Sequence, residues 1–337
     1  MSTSRPAISN QPARRRGGCL RRLALMFALG FVMLNVLAWF HVRAATHFVA
    51  EGRPLEQWLS MPRLEQLRTI VTGVAIPRPH NRQTPSDHNL PYAVHQITLA
   101  DGQMLEGWFV PHPQSRGVIV MFTGYAGVKD GLLTPAATVF QLGYSSFLVD
   151  FRGAGGSSGS DTTLGLREAE DVAAAVAYAR ANWPGQPIVV YGVSMGSAAI
   201  LRAVAVEGMR PDGLILEGAF DNLLTTVRHR FDAVGAPASP AAELLVFWGS
   251  VQMGYNGFAH NPAEYAAAVE CPTLLMTGAR DLWVRPAETQ AIEQRLRGPK
   301  QLVVVPDMGH DMPFVYWAPE LWRRSVAELL ANVERKT

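Results

Sequence analysis

The pentapeptide Gly192-Val193-Ser194-Met195-Gly196 lies between an apolar run, Ile188-Val189-Val190-Tyr191, and a helix-compatible stretch over 195–206. A serine flanked in this way suits a nucleophile at a sharp strand-to-helix turn. The flanking positions must be small, and the hydroxyl then stands above the sheet edge. The backbone N–H of Met195, at the start of the new helix, points toward a developing oxyanion. The chemistry allowed is attack on a carbonyl. The pattern recurs by chance in glycine-rich chains, so its context has to carry it.

A serine hydroxyl needs a general base, and the base needs an orienting carboxylate. With this type of turn the acid and then the histidine follow the serine along the chain. His229, His260 and His310 lie downstream of Ser194. The first two fall in an inserted segment with no strand end to hold them. His310 ends Pro306-Asp307-Met308-Gly309-His310, directly after the last predicted strand. Asp281 ends Thr277-Gly278-Ala279-Arg280-Asp281, at the close of the strand before it, with only His310 downstream. Glu217, at the end of the strand after the turn, is the alternative acid. Asp307 and Asp311 are too near His310 in sequence to align with its ring.

Strand-like and helix-like stretches alternate around these residues. Segments 93–99 and 104–110 flank Asp101-Gly102 and predict a hairpin. Strands are then expected at 118–122, 146–149, 188–191, 214–216, 273–276 and 302–305. Helices are expected at 132–142, 166–182, 195–206, 287–297 and 315–333. Continuous apolar strands alternating with helices imply an α/β fold, a mostly parallel sheet covered on both faces. Residues 44–90 are poorly patterned, with a short amphipathic helix expected over 55–71 and an irregular proline-rich connector after it.

Of the 337 residues, 48% are hydrophobic and 17% charged, a balance that supports a sizeable core. The net charge of +2 hides an asymmetry, because residues 1–43 hold seven arginines and no acid. The rest holds 23 basic residues against 28 acidic ones. No basic face for nucleic acid is expected. Cys19 and Cys271 alone build neither a disulfide framework nor a metal site, and no cofactor is expected. Cys19 flanks an apolar segment, where acylation is conceivable. Cys271 reads as a packed core thiol.

That apolar segment, residues 23–40, carries no charge. Its eighteen residues rise about 27 Å as a helix, close to the hydrocarbon thickness of a bilayer. The arginines lie mostly on its N-terminal side, which places the N-terminus in the cytoplasm and the bulk of the chain outside it. A retained signal anchor is expected, because the run exceeds a usual signal-peptide core. A cleavable signal peptide is the alternative, with Val42-Arg43-Ala44 resembling a cleavage site.

Together these motifs, with Asp150-Phe151-Arg152-Gly153-Ala154-Gly155-Gly156-Ser157 and Gly309-His310, resemble the α/β-hydrolase superfamily from about residue 92 onward. The likeness is greatest to membrane-anchored bacterial members grouped with prolyl-oligopeptidase-like and Bem46-like serine hydrolases. It implies an α/β-hydrolase fold with a helical cap, here about 222–264, and a catalytic set of Ser194, Asp281 and His310. It makes Gly192 and Gly196 the small residues of the nucleophile elbow. It also implies a second oxyanion donor beside Met195, carried onto the backbone N–H of Tyr125 in Phe122-Thr123-Gly124-Tyr125. Thr123 stands where the family has histidine, so the likeness does not say what orders this loop. Arg152 is expected to brace its loop. Residues 244–248 are expected to form the cap's own core, with an acyl pocket as the alternative.

The implied organisation is a basic tail (1–22), a transmembrane anchor (23–40), a linker and extension (41–90) and a hydrolase domain (91–337). The implied activity is hydrolysis of a small-molecule ester through an acyl-enzyme. Acyl transfer, peptidase activity and a catalytically silent binding protein are the alternatives.

Overall fold

The computed structural model describes residues 17–50 and 63–335. The basic tail through residue 16, the whole stretch 51–62 with the first part of the helix expected over 55–71, and the last two residues fall outside them, as does the side chain of Cys19. The chain enters through α1 (Gly17–Thr46), followed by the short α2 (Arg63–Thr72). The most apolar eighteen residues of α1 have a mean hydropathy of 2.2, and α1 is long and apolar enough to cross a membrane. The helix runs six residues past the apolar segment. Thr46 ends it by donating its hydroxyl back to the Val42 carbonyl at 2.8 Å.

Strands β1 (Ala93–Thr98) and β2 (Met104–Val110) form the expected hairpin. Six strands follow: β3 (Val118–Phe122), β4 (Ser145–Val149), β5 (Ile188–Val193), β6 (Gly213–Glu217), β7 (Thr273–Gly278) and β8 (Lys300–Val305). The sheet order is β1-β2-β4-β3-β5-β6-β7-β8. Pairing is antiparallel through β2–β4 and parallel from β4 to β8. Strand side chains alternate between two buried layers. Val118, Val120 and Phe122 enter one core, while Ile119 and Met121 enter the other.

Helix α3 (Leu133–Gln141) covers the second layer. The first is covered by α4 (Glu168–Asn182) and α5 (Met195–Ala205). Between β6 and β7 the chain leaves the sheet to build the cap from α6 (Leu223–Ala233), α7 (Ala241–Met253) and the single turn α8 (Pro262–Tyr265). Helices α9 (Pro286–Arg295) and α10 (Pro319–Glu334) complete the two layers. The helix expected over 315–333 is divided. A 3-10 turn spans Phe314–Tyr316, and α10 restarts at Pro319. A proline at a first helical position starts a helix readily but cannot continue one.

The cluster at 244–248 does not form one core, because five consecutive helical residues point all around the axis. Val246 packs inside the cap, Leu245 faces a cavity, Phe247 is exposed, and Trp248 packs against α1. The Trp248 ring meets Trp39 edge-on at 5.2 Å, and its Nε1 donates to Asn35 Oδ1 at 3.0 Å. Gln252 adds a bond to the Trp39 carbonyl at 2.9 Å. The cap therefore leans on the apolar helix.

A buried ion group ties the loop after β3 to the loop after β4. Lys129 is fully buried, paired with Asp150 and, at 2.8 Å, with Glu106, and it lies 4.3 Å over the Trp108 ring. Asp150 also accepts from the Lys129 N–H at 2.7 Å, Asn81 Nδ2 at 2.8 Å and the Gly156 N–H at 2.9 Å. Arg152 braces the same loop, donating to buried Asp171 from its Nε at 2.6 Å and its backbone N–H at 3.1 Å. Removing one partner of a buried pair strands the other charge. Lys129→Met is therefore expected to cost about 3 kcal/mol, read as a fall in unfolding free energy in detergent. A loss below ~0.5 kcal/mol, typical of surface substitutions, would contradict this account.

Candidate active site

Strand β5 ends at Val193 and α5 begins at Met195, so Ser194 alone makes the turn, at φ 50° and ψ −112°. Its N–H donates to the Glu217 carbonyl at 2.7 Å, which ties the turn to β6. The flanking glycines are demanded by space. A Cβ on Gly192 would stand 2.4 Å from Ile200 Cδ1 and 2.8 Å from the Gly196 carbonyl carbon. A Cβ on Gly196 would stand 2.6 Å from the Thr123 carbonyl oxygen.

Ser194, His310 and Asp281 come together from three strand ends. Ser194 Oγ lies 3.0 Å from His310 Nε2, and His310 Nδ1 lies 2.6 Å from Asp281 Oδ2. Asp281 is buried, and its other oxygen accepts from the N–H groups of Trp283 and Val284, each at 2.9 Å. One carboxylate oxygen is thus fixed by backbone and the other is left for the imidazole. Trp283 then lies beside the His310 ring, with centroids 5.4 Å apart. Asp307 pairs with Arg280, and Asp311 accepts from the Gly309 N–H.

Glu217, the alternative acid, is engaged elsewhere. It is fully buried and accepts from Tyr191 Oη at 2.9 Å, Trp322 Nε1 at 2.6 Å and the Phe314 N–H at 2.8 Å. Burial pushes its pKa up to about 7, against the three donors, which pull it down. Its bond to Phe314 anchors the chain four residues beyond His310. His260 is fully buried, with Nε2 3.1 Å from the Leu164 carbonyl, and burial lowers its pKa to about 3. His229 is buried between Glu288 Oε1 at 3.0 Å and the Trp283 carbonyl at 3.3 Å. Neither histidine reaches Ser194.

The loop carrying Gly124 and Tyr125 passes directly over the serine. A Cβ on Gly124 would lie 3.3 Å from Ser194 Cβ. A turn closed from the Gly127 N–H to the Gly124 carbonyl at 3.1 Å shapes this loop, with Ala126 at φ 55°. The Thr123 hydroxyl is buried and has no hydrogen-bond partner among the described residues. Order comes instead from the Tyr125 side chain, whose hydroxyl donates to the Ala45 carbonyl in the last turn of α1 and whose ring packs 6.3 Å from Phe48. Burial pushes the Tyr125 pKa up to about 12, so the phenol stays protonated as the donor. Among the described residues its backbone N–H donates to no other group. The Met195 N–H belongs to the first turn of α5, where helix donors lack intrahelical acceptors.

Two cavities meet at Ser194. One, of about 600 Å³, is lined by the Thr123–Val128 loop, Trp283, His310 and Met312. The other, of about 420 Å³, runs under the cap between Leu223, Val227, Phe231, Leu245 and Val284, and reaches Ala45. Arg230 and Tyr125 border both. Nothing local in the sequence marks Arg230, Trp283 or Ala45, because each matters only through where the cap and α1 dock. No group of three or more His, Cys, Asp or Glu suited to a metal occurs among the described residues.

Residues 113–248 match the family model of serine aminopeptidase, S33. A Mycobacterium tuberculosis relative, uncharacterized protein Rv2307c, is 31% identical over 222 residues, which is 64% of this chain and 72% of that one. Protein bem46 of Schizosaccharomyces pombe is 26% identical over 228 residues, 66% of this chain and 72% of its own length. Among solved structures, the Pyrococcus furiosus esterase Pf2001 superposes with a TM-score of 0.63 at 25% identity, over 76% of this chain and 96% of the esterase.

The tie between Tyr125 and Ala45 has a measurable consequence. Tyr125→Phe removes one hydroxyl bond, worth about 1 kcal/mol. Turnover of a soluble ester is expected to fall about fivefold with KM little changed, the signature of an interaction felt in the transition state. Unaltered kcat would show that the loop is ordered without this bond.

Proposed function

The chain belongs to the α/β-hydrolase superfamily, and from that premise we propose that it is a serine hydrolase cleaving a carboxylic ester through Ser194, His310 and Asp281. The observation that carries this reading is the continuous line from Ser194 Oγ to His310 Nε2 at 3.0 Å and from His310 Nδ1 to Asp281 at 2.6 Å. Its likeness to the Pyrococcus furiosus esterase favours an ester, against a family model described as serine aminopeptidase.

In the proposed reaction Ser194 Oγ attacks the carbonyl carbon while His310 Nε2 takes its proton. Asp281 holds the imidazole in the tautomer with Nδ1–H and stabilises its charged form. The N–H groups of Tyr125 and Met195 receive the developing oxyanion, where prepared donors in a cavity stabilise charge strongly. His310 returns the proton to the alcohol oxygen as the carbon–oxygen bond breaks. Water, deprotonated by the same imidazole, then releases the acid and restores Ser194.

The two cavities divide the substrate. The alcohol oxygen must lie within reach of His310 Nε2, and His310 lines only the larger cavity. The acyl chain therefore enters the space under the cap, whose wall is largely apolar. We further propose that α1 stays attached as a signal anchor, with the N-terminus cytoplasmic and the catalytic domain outside. Cleavage after Ala44 would strip Trp248 and Gln252 of their partners on α1.

Ser194→Ala is expected to abolish hydrolysis of a p-nitrophenyl ester by the purified full-length protein. Residual turnover near wild type would sink the assignment. Val227→Trp fills the space under the cap, so it is expected to lower kcat/KM for a decanoate tenfold or more relative to an acetate, as steric exclusion from an apolar pocket requires. An unchanged chain-length profile would place the acyl group elsewhere.

A further inference from the structure

Arg230 differs from the arginines around it. Arg228 on the same helix pairs with Glu243 at 2.6 Å, Arg285 pairs with Asp232 at 2.8 Å, and Arg152 is buried against Asp171. Arg230 makes no hydrogen bond or ion pair with any described residue, and its Cζ lies 3.9 Å over the face of Trp283. Burial lowers its pKa from the ordinary arginine value, but such a group stays charged at neutral pH. Asp281 pulls that pKa back up through its charge alone, with no hydrogen bond or ion pair, and a guanidinium partly stripped of water with no anion in direct contact is costly to keep. Stacking on an indole fixes its plane and leaves its edge free, and that edge is a fork of N–H donors matched to a carboxylate or phosphate.

Its position says which part of a substrate it meets. Trp283 lines the larger cavity but not the one under the cap, and its ring centroid is 5.4 Å from that of His310. The guanidinium and the imidazole both lie against one indole, in the cavity where the alcohol must sit. Asp130, an acid bordering the same cavity, is engaged by the N–H groups of Arg82 at 2.6 Å and Gln83 at 3.3 Å. Resting on the hydrolase reading above, we propose that Arg230 is a specificity-determining residue that receives an anionic group, phosphate or carboxylate, on the alcohol part of the ester. The bond cleaved is then the one between an apolar acyl group and an alcohol that carries the charge. The enzyme reads the two ends by opposite physics: the acyl end by burial, the alcohol end by a bidentate ionic contact.

The test uses the full-length protein and three hexanoyl esters of matched size: 4-carboxyphenyl hexanoate, 4-carbamoylphenyl hexanoate and the aryl phosphate analogue. The wild type is expected to favour at least one anionic ester over the carbamoyl ester, and which one it favours distinguishes carboxylate from phosphate. In Arg230→Gln the anionic-to-neutral ratio of kcat/KM is expected to fall about tenfold or more, chiefly through KM, as loss of a charge-assisted contact implies. Arg230→Lys should recover part of that ratio, because it restores the charge without the planar fork. If Arg230 only braces the cap on Trp283, Arg230→Gln will lower all three esters alike, and the proposal is overturned. A wild type with no anionic preference overturns it equally. Loss of carbamoyl ester hydrolysis in Ser194→Ala is read in parallel. Its absence would remove the hydrolase reading itself, whatever the Arg230 ratios show.

Discussion

At Ser194 the backbone holds a positive φ that a residue with a Cβ adopts at a cost of about 1–3 kcal/mol, and the surrounding structure is arranged to keep it there. Its N–H is tied to β6, and Gly192 and Gly196, two residues away on either side, have no room for a methyl. The loop after β3 is packed so closely that a Cβ on Gly124 would stand 3.3 Å from the serine Cβ. This turn lifts one hydroxyl clear of a sheet whose strands are otherwise covered on both faces. Displacing it would break the 3.0 Å line from Ser194 Oγ to His310 Nε2.

Two acids at neighbouring strand ends show how environment divides roles. Asp281 keeps one oxygen on backbone donors and turns the other to His310. Glu217 is sealed among Tyr191, Trp322 and the Phe314 N–H, where burial favours its neutral form. The first can answer a charge that appears on imidazole. The second holds the segment beyond His310 in place. A count of carboxylates at strand ends cannot separate them, but their donors do.

Much of this was readable from residue order. Apolar strands of five or six residues, the glycine-flanked serine and the loop positions of Asp281 and His310 are local signals, and the elements lie where those signals put them. The residues that escaped are those whose meaning is set by distant docking. The backbone N–H of Tyr125 is legible through the family likeness, but its side chain reads as an ordinary loop aromatic until Ala45, eighty residues earlier, accepts its hydroxyl. Arg230 reads as one more charge in the inserted segment until the cap lays it over Trp283. The run at 244–248 looked like a single core because hydropathy is blind to which side of a helix meets which neighbour. Similarly, the split before Pro319 is legible from the proline, yet an apolar pattern spanning it masks the break.

The apolar N-terminal helix ends on the loop that covers Ser194, and its side is clamped to the cap by Asn35, Trp39 and Trp248. A free transmembrane helix answers a thicker or thinner bilayer by tilting. The helix proposed above as an anchor is held at two points and, within a bilayer, would have little freedom to lean on its own. In a membrane of mismatched thickness the lipids would have to stretch or compress around it. Strain not absorbed there would be delivered through the Ala45 carbonyl to the covering loop.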